Sequence, residues 1–349
     1  MNFIELLKKN KSLVYWNRCR IHRNDEKFRD MVMNSFHSPD YFKIEHLGDE
    51  YSGKIVYVVL ALGDGVGFFG ELGTVLTGLK FADDYGFTPY VMWGSNFLYY
   101  EEDGVDEISN AFEYYFEPVS EVISIKRVSN LIRLEYSHIE KIKVDYGVHS
   151  YERTPEYFEL MVSMMRKYIK LNTKTQSHLD QAIGKLWIDR NATLGVHYRG
   201  TDYARQYDNH PVAPSLVQTM EKVDDLMGKY HYQYIFLATD EANVVKKFRE
   251  KYGKCVRVHE DVFRNIDGDD SVAFSHSSRK DHHYLLGLEV IKDAYTLAIC
   301  KSLVCGRSNV TYMANVMKQS WLNEKYERYE LIDLGVHHNA NSFGDSVHE

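Results

Sequence analysis

Cysteine is scarce in this chain. Four in 349 residues (Cys19, Cys255, Cys300 and Cys305) are too few and too scattered for a disulfide framework, and none forms a CxxC pair of the kind that holds zinc. A reducing compartment suits such usage. Long hydrophobic runs are missing too: the longest, Ile55 to Leu62, falls far short of the ~18 residues a membrane span requires. The opening MNFIELLKKNK lacks the apolar core of a signal peptide, so the expectation is a cytoplasmic protein with at most peripheral contact at the inner face of a membrane. No stretch gathers a block of like charges, and 50 acidic residues against 42 basic ones leave a net charge of −8, which argues against a general nucleic-acid surface. Repeats of about 20 to 50 residues and low-complexity segments are absent, which excludes solenoids and propellers. What is present is apolar mass: 44% hydrophobic and 26% charged residues suffice for one large or two ordinary globular domains and exclude disorder, collagen and coiled coil. The 27 tyrosines suit stacking on sugars, but such a count more often reflects local composition and core filling.

Strand and helix signals alternate along the chain. KIVYVVLAL (54–62) is a continuous β-branched run, as expected of a strand buried on both faces of a parallel sheet. A glycine-rich turn, GDGVGFFGELG (63–73), precedes a helical pattern in TVLTGLKFADDYG and a second strand, FTPYVMW (87–93). Thr154-Pro155-Glu156 supplies an N-cap, a first-turn proline and an acid for a helix to about Lys170. Thereafter helix 176–187, strand 193–200, helix 214–229, strand 232–240, helix 242–253, strand 255–260, a polar loop 261–283, helix 286–300, strand 302–306 and a last helix follow in turn. This α/β alternation predicts two Rossmann-like halves. The expected division is an N-terminal unit 1–175 on the acceptor side, a nucleotide-sugar unit 176–335 and a polar tail 336–349.

The chemistry-bearing residues cluster at predicted strand ends. His197-Tyr198-Arg199-Gly200-Thr201-Asp202 closes a strand where open α/β sheets bind ligands. Arg199 offers a permanent charge and a planar fork that match a phosphate, and Gly200 allows close approach; the alternative is an arginine paired with Asp202 and a satisfied core histidine at His197. Leu237-Ala238-Thr239-Asp240 closes the next strand, where Thr239 or Asp240 is expected to cap the following helix. Glu289 and Asp293 share one helix face, a mildly destabilising pairing unless a cation or hydrogen-bond donor faces them. Asp293 suits a guanine edge, a solvated face or an ion pair near Lys292. In Cys305-Gly306-Arg307-Ser308-Asn309, the last two residues stand at a helix N-terminus, which binds phosphate without a metal. The glycine turn has Gly65, Gly67 and Gly70 in GxGxxG spacing, a weaker donor-binding signal, because Val91-Met92-Trp93 stands where an NAD fold has an acid. GxxxxGK[ST] and HExxH are absent, and no metal site is expected.

The ordered set HxRGTD, LATD and a GLEVIKD helix running into VCGRSNV resembles the α1,6-fucosyltransferase and protein O-fucosyltransferase superfamily, and most closely its bacterial surface-polysaccharide members with HxRGTDY. The resemblance covers residues 190–320, with GFFGELGTVLTGLKFADDYGFTP similar to the family's opening loop and helix. It implies a GT-B fold of two Rossmann-like domains across a cleft and metal-independent, inverting transfer of fucose from GDP-fucose to a glycan or lipid-linked glycan. By the same resemblance the essential diphosphate-binding arginine falls on Arg199, its neighbouring histidine on His197, the acid closing the motif on Asp202, the nucleotide-binding aspartate on Asp293, and phosphate contacts on Ser308 and Asn309. Asp202 and Asp208 are the candidate bases, and Gly200, Asp240, Glu289, Arg307, Gly65 and Gly67 complete the candidate donor site. Two departures stand out: Gly200 replaces a second arginine, and CGRSNV is one residue shorter than the vertebrate loop. Another nucleotide-sugar donor, a non-catalytic nucleotide- or glycan-binding module, and an NAD-dependent oxidoreductase are the competing readings.

Overall fold

A computed structural model describes residues 44–63, 65–133, 142–143, 146–149, 152–200, 210–265 and 272–338. The first sheet contains β1 (Ile44–Glu45), β2 (Val56–Leu60), β3 (Thr88–Met92) and β4 (Leu131–Arg133) in the order β1-β4-β2-β3. Strand β2 runs parallel to β3 and β4, and β1 adds an antiparallel edge. Helix α1 (Phe68–Tyr85) makes the crossover from β2 to β3 and stops at Gly86, whose φ of 66° is left-handed and favours glycine. It lies close on the sheet: a Cβ at Gly78 would come within 2.8 Å of Val59.

After a short hairpin of β5 (Val148–His149) and β6 (Glu152–Arg153), helix α2 (Pro155–Tyr168) begins at Thr154, whose hydroxyl accepts from Tyr157 N at 3.1 Å. Asn172 caps α3 (Thr173–Leu186), and a reciprocal Ser215–Gln218 capping box starts α4 (Leu216–Tyr230). The remaining helices are α5 (Ala242–Tyr252), α6 (His282–Ile299) and α7 (Asn309–Trp321). With them alternate β7 (Thr193–Tyr198), β8 (Tyr234–Thr239), β9 (Val256–Arg257), β10 (Ser302–Gly306) and β11 (Tyr329–Ile332), which form a parallel sheet in the order β11-β10-β7-β8-β9.

Both sheets are covered on both faces, which explains why their central strands read as unbroken apolar runs. Leu194, Val196, Ile235 and Leu237 pack under α4 and α5 with Val223, Val244 and Phe248. The alternate residues Phe236, Ala238, Leu303 and Cys305 join a single large core with α1, α2, α6, α7 and the inner face of the first sheet. That core holds the two sheets together. Lys318, itself buried, donates to Ala298 O at 3.0 Å and Cys300 O at 3.1 Å, satisfying carbonyls left at the end of α6.

Three elements differ from expectation. Helix α1 begins inside the glycine turn, because Phe68, Phe69 and Leu72 are buried and Glu71 turns back to accept from Leu62 N at 2.8 Å and Gly63 N at 3.1 Å. Helix α6 begins at His282, before its periodic stretch, and β9 shrinks to two residues. The short strands β1, β4, β5 and β6 and the edge strand β11 carry no periodic signal that a sequence reading detects.

Candidate functional site

The carboxyl ends of β7, β8 and β10 lie side by side, since Tyr198 pairs in register with Thr239 and His197 with Cys305. Three loops therefore leave one edge together: Arg199–Gly200, Asp240–Glu241 and Gly306–Asn309. Gly200 N donates to Asp240 Oδ1 at 3.4 Å, and a Cβ at Gly200 would sit 1.4 Å from Glu241 Oε1, so the first two loops touch. The capping role expected of Asp240 is corrected by this geometry. Helix α5 has Glu241 at its N-cap without a side-chain cap bond, while the Thr239 hydroxyl accepts from Glu241 N at 3.3 Å and Asp240 braces the β7 loop.

His197 is buried at the end of β7, and burial, reinforced by the Arg199 charge, drives its pKa down to about 3. The imidazole is thus neutral at working pH beside a permanent cation. Asp202 and Asp208, the two candidate bases, lie outside the described residues.

On α6, Glu289 and Asp293 find different compensation. Glu289 accepts from Phe263 N at 3.1 Å and from Arg279 Nη1 at 2.5 Å, so it braces the loop before the helix. Asp293 Oδ1 is enclosed and has no hydrogen-bond partner; burial raises the carboxyl pKa to about 7, against the opposing pull of Arg264 and Lys292. The Lys292 ion pair foreseen for this region is made with Asp261 at 2.7 Å instead. Arg264 anchors this part of the site to the strand ends, donating to Thr239 O at 3.2 Å and His259 O at 2.9 Å.

At the start of α7, Ser308 Oγ accepts from Thr311 N at 3.1 Å and so caps its own helix, and Arg307 pairs with Asp333 at 2.6 Å. Asn309 Oδ1 accepts from Arg153, whose guanidinium lies 4.0 Å over the Tyr312 ring. The glycine turn approaches the same helix end: a Cβ on Gly70 would lie 3.5 Å from Asn309 Nδ2. Gly65, at φ 91°, occupies the left-handed region, whereas Gly67 is an extended N-cap at φ −67° that other residues can adopt. Among the described residues no group of three His, Cys, Asp or Glu is placed to hold a metal ion.

The sequence model of the α-(1,6)-fucosyltransferase N- and catalytic domains matches residues 148–334, more than half of the chain. The chain belongs to this family. It is a glycosyltransferase of the fucosyltransferase superfamily, on an α/β fold with parallel sheets. Among solved structures the fucosyltransferase is similar to NodZ α-1,6-fucosyltransferase soaked with GDP-fucose, at 17% identity over 75% of this chain and 92% of that one, with a TM-score of 0.44. Fucosyltransferase NodZ from Bradyrhizobium gives 17% identity over 75% of this chain and 92% of its own, with a TM-score of 0.46. POFUT1 in complex with GDP-fucose is 11% identical over 79% of this chain and 97% of its own, with a TM-score of 0.46. No curated protein matches the chain. No helix among the described residues of this fucosyltransferase is long and apolar enough to cross a membrane.

Of the candidate residues, His197, Arg199, Gly200 and Asp240 come together at the strand ends, and Ser308 and Asn309 lie at the α7 start, which the glycine turn reaches through Gly70 rather than through Gly65 or Gly67. Glu289 and Asp293 form a third corner on α6. The sequence reading missed Arg153, Arg264, Arg279 and Glu71. Glu71 sits one residue past the GxGxxG stretch, where a charged residue set in the apolar run between Phe69 and Leu72 was a signal; the three arginines act across loops and carry none.

Proposed function

We propose that this fucosyltransferase-family enzyme transfers fucose from GDP-fucose to a glycan or lipid-linked glycan acceptor in surface-polysaccharide synthesis, with inversion at the anomeric carbon. The observation that carries the donor reading is Asp293: an enclosed carboxylate oxygen without a partner, beside the strand ends, fits the two adjacent N–H donors of a guanine edge. In this reading the chain divides as a GT-B enzyme into an acceptor unit 1–175, a donor unit 176–335 and a polar tail 336–349, with the donor lying along the ends of β7, β8 and β10. Arg199 and the start of α7 face the diphosphate and stabilise the negative charge that grows as the sugar–phosphate bond breaks, work that a metal performs in other transferases. His197 stays neutral and adds no second charge next to Arg199. Asp202 and Asp208 are the proposed bases for the acceptor hydroxyl. The location proposed is the cytoplasm, with at most peripheral membrane contact.

The test needs no acceptor. Thermal unfolding is followed with a panel of GDP, GDP-fucose, GDP-mannose, UDP-sugars and NAD at millimolar concentration, since a ligand at 100 times its Kd adds about 2.7 kcal/mol. The expected result is stabilisation by GDP and GDP-fucose that Arg199→Ala abolishes. Stabilisation by UDP-sugars or NAD alone, or by no guanine nucleotide, overturns the GDP-fucose assignment.

A further inference from the structure

The segment between the glycine turn and α2 holds a cation in an unusual setting. Arg153, at the end of β6 and immediately before α2, reaches the N-terminus of α7, the helix that packs beside α2. Its guanidinium is fixed in two ways, by the hydrogen bond from Nη2 to Asn309 Oδ1 and by stacking at 4.0 Å on the Tyr312 ring. Among the described residues no carboxylate forms an ion pair with it. A permanent cation at a helix N-terminus opposes the helix dipole, so the arrangement stores an electrostatic cost of the sign that a bound anion removes. Two further features stand beside this cation. Gly70 presents no side chain toward Asn309, and the Tyr312 hydroxyl is enclosed without a hydrogen-bond partner. The α7 start itself continues β10, whose end lies in register beside that of β7, which carries Arg199.

We infer that Arg153 is a second arginine for the donor's diphosphate, supplied by the N-terminal half of the chain and held in place by Asn309 and Tyr312. The inference rests on the proposed nucleoside-diphosphate donor and deepens it. The guanidinium fork has five donors, of which Asn309 uses one, so a phosphate can be engaged without breaking the existing bond. Through Arg153 the diphosphate then touches the β6–α2 junction as well as the strand ends that carry Arg199.

The experiment compares two ligands that differ only in the diphosphate. Dissociation constants for GDP and, by competition, for guanosine are measured with the wild type, Arg153→Gln and Arg153→Lys. Loss of a charge-assisted contact predicts that Arg153→Gln weakens GDP by about 10- to 100-fold while guanosine is unchanged, and that Arg153→Lys recovers part of the loss. A guanine pocket merely distorted by the substitution weakens both ligands alike, and that result overturns the inference, as does unaltered GDP binding. If Arg153→Gln does not fold, Arg153→Lys decides alone: a selective loss for GDP supports the contact, and equal effects on the two ligands refute it. A wild type that binds no GDP overturns the donor reading itself, whereas a wild type that binds GDP and an Arg153→Gln variant that binds it equally overturn only the role of Arg153.

Discussion

Asp293 is held in a state that folding alone does not favour. Its carboxyl pKa is raised to about 7 in the folded protein, above the usual carboxylate range, with burial as the first cause. A raised pKa means that the folded state binds the proton more tightly than the unfolded one. Stability from this group is therefore complete below about pH 4 and is lost as pH rises through 7. Glu71, also raised to about 7 by burial, loses stability over the same interval, so the wild type alone does not separate the two. The Asp293→Asn variant does: it is expected to be more stable than wild type by about 1–3 kcal/mol at pH 8, with the difference vanishing near pH 4, and to bind GDP more weakly. Thermal melting across that pH range is the measurement, and an equal or lower stability at pH 8 removes the idea of an unpaired buried carboxylate. His197 shifts the other way. Its pKa, lowered by burial and Arg199 to about 3, gives stability that is present above about 6.5 and declines as pH falls toward 3. Between pH 5 and 9 the turnover profile should therefore lack an inflection belonging to His197; a limb that disappears in His197→Asn shows that the imidazole titrates in the working range.

Elements pack here with little tolerance, and α6 shows it best. A Cβ at Gly287 would approach Tyr115 OH to 2.3 Å, while that hydroxyl donates to Tyr284 O at 3.0 Å and its ring is fully buried against Phe68 and Tyr284. Tyr115 has nowhere to retreat, so Gly287→Ala is expected to cost about 1–3 kcal/mol in chemical denaturation. A neutral effect shows that the ring moves. The face of α6 that carries Glu289 and Asp293 was legible in the sequence because apolar residues recur at helical spacing through it. Its start was not, because Asp281, at φ 52° and without a side-chain cap bond, gives none of the usual signals of a helix N-terminus. The strands β2, β7, β8 and β10 were legible because burial on both faces leaves largely apolar runs. Strand β11, exposed on alternate residues and short, looks like any polar segment. The site followed the same rule: residues at strand ends were found from the strands, whereas Arg264 and Arg279, whose value lies in reaching Thr239 O and Glu289, look in sequence like solvated charges.

The two sheets share one core, and this sets how the molecule unfolds. Residues from β2, α1 and α2 belong to the same buried cluster as those from α6, β10 and α7. Polar ties cross between them: Glu101 Oε1 accepts from Tyr284 N at 3.0 Å, Arg166 Nη2 donates to Gln319 O at 2.7 Å, and Trp321 Nε1 donates to Ile169 O at 3.0 Å. Removing either sheet would expose apolar surface of the other, at a cost of about 25 cal/mol for each Å². Unfolding in parts is thus opposed, although the chain is long enough for two domains. Calorimetry should show a single transition, and GDP should shift that transition as a whole rather than sharpen a subset of it. Two resolved transitions, only one of them moved by GDP, indicate that the halves unfold separately and that the shared core contributes little across their junction. The same coupling bears on the proposed donor site, since Arg199, just after β7, and Arg153, on β6, belong to elements joined through that one core.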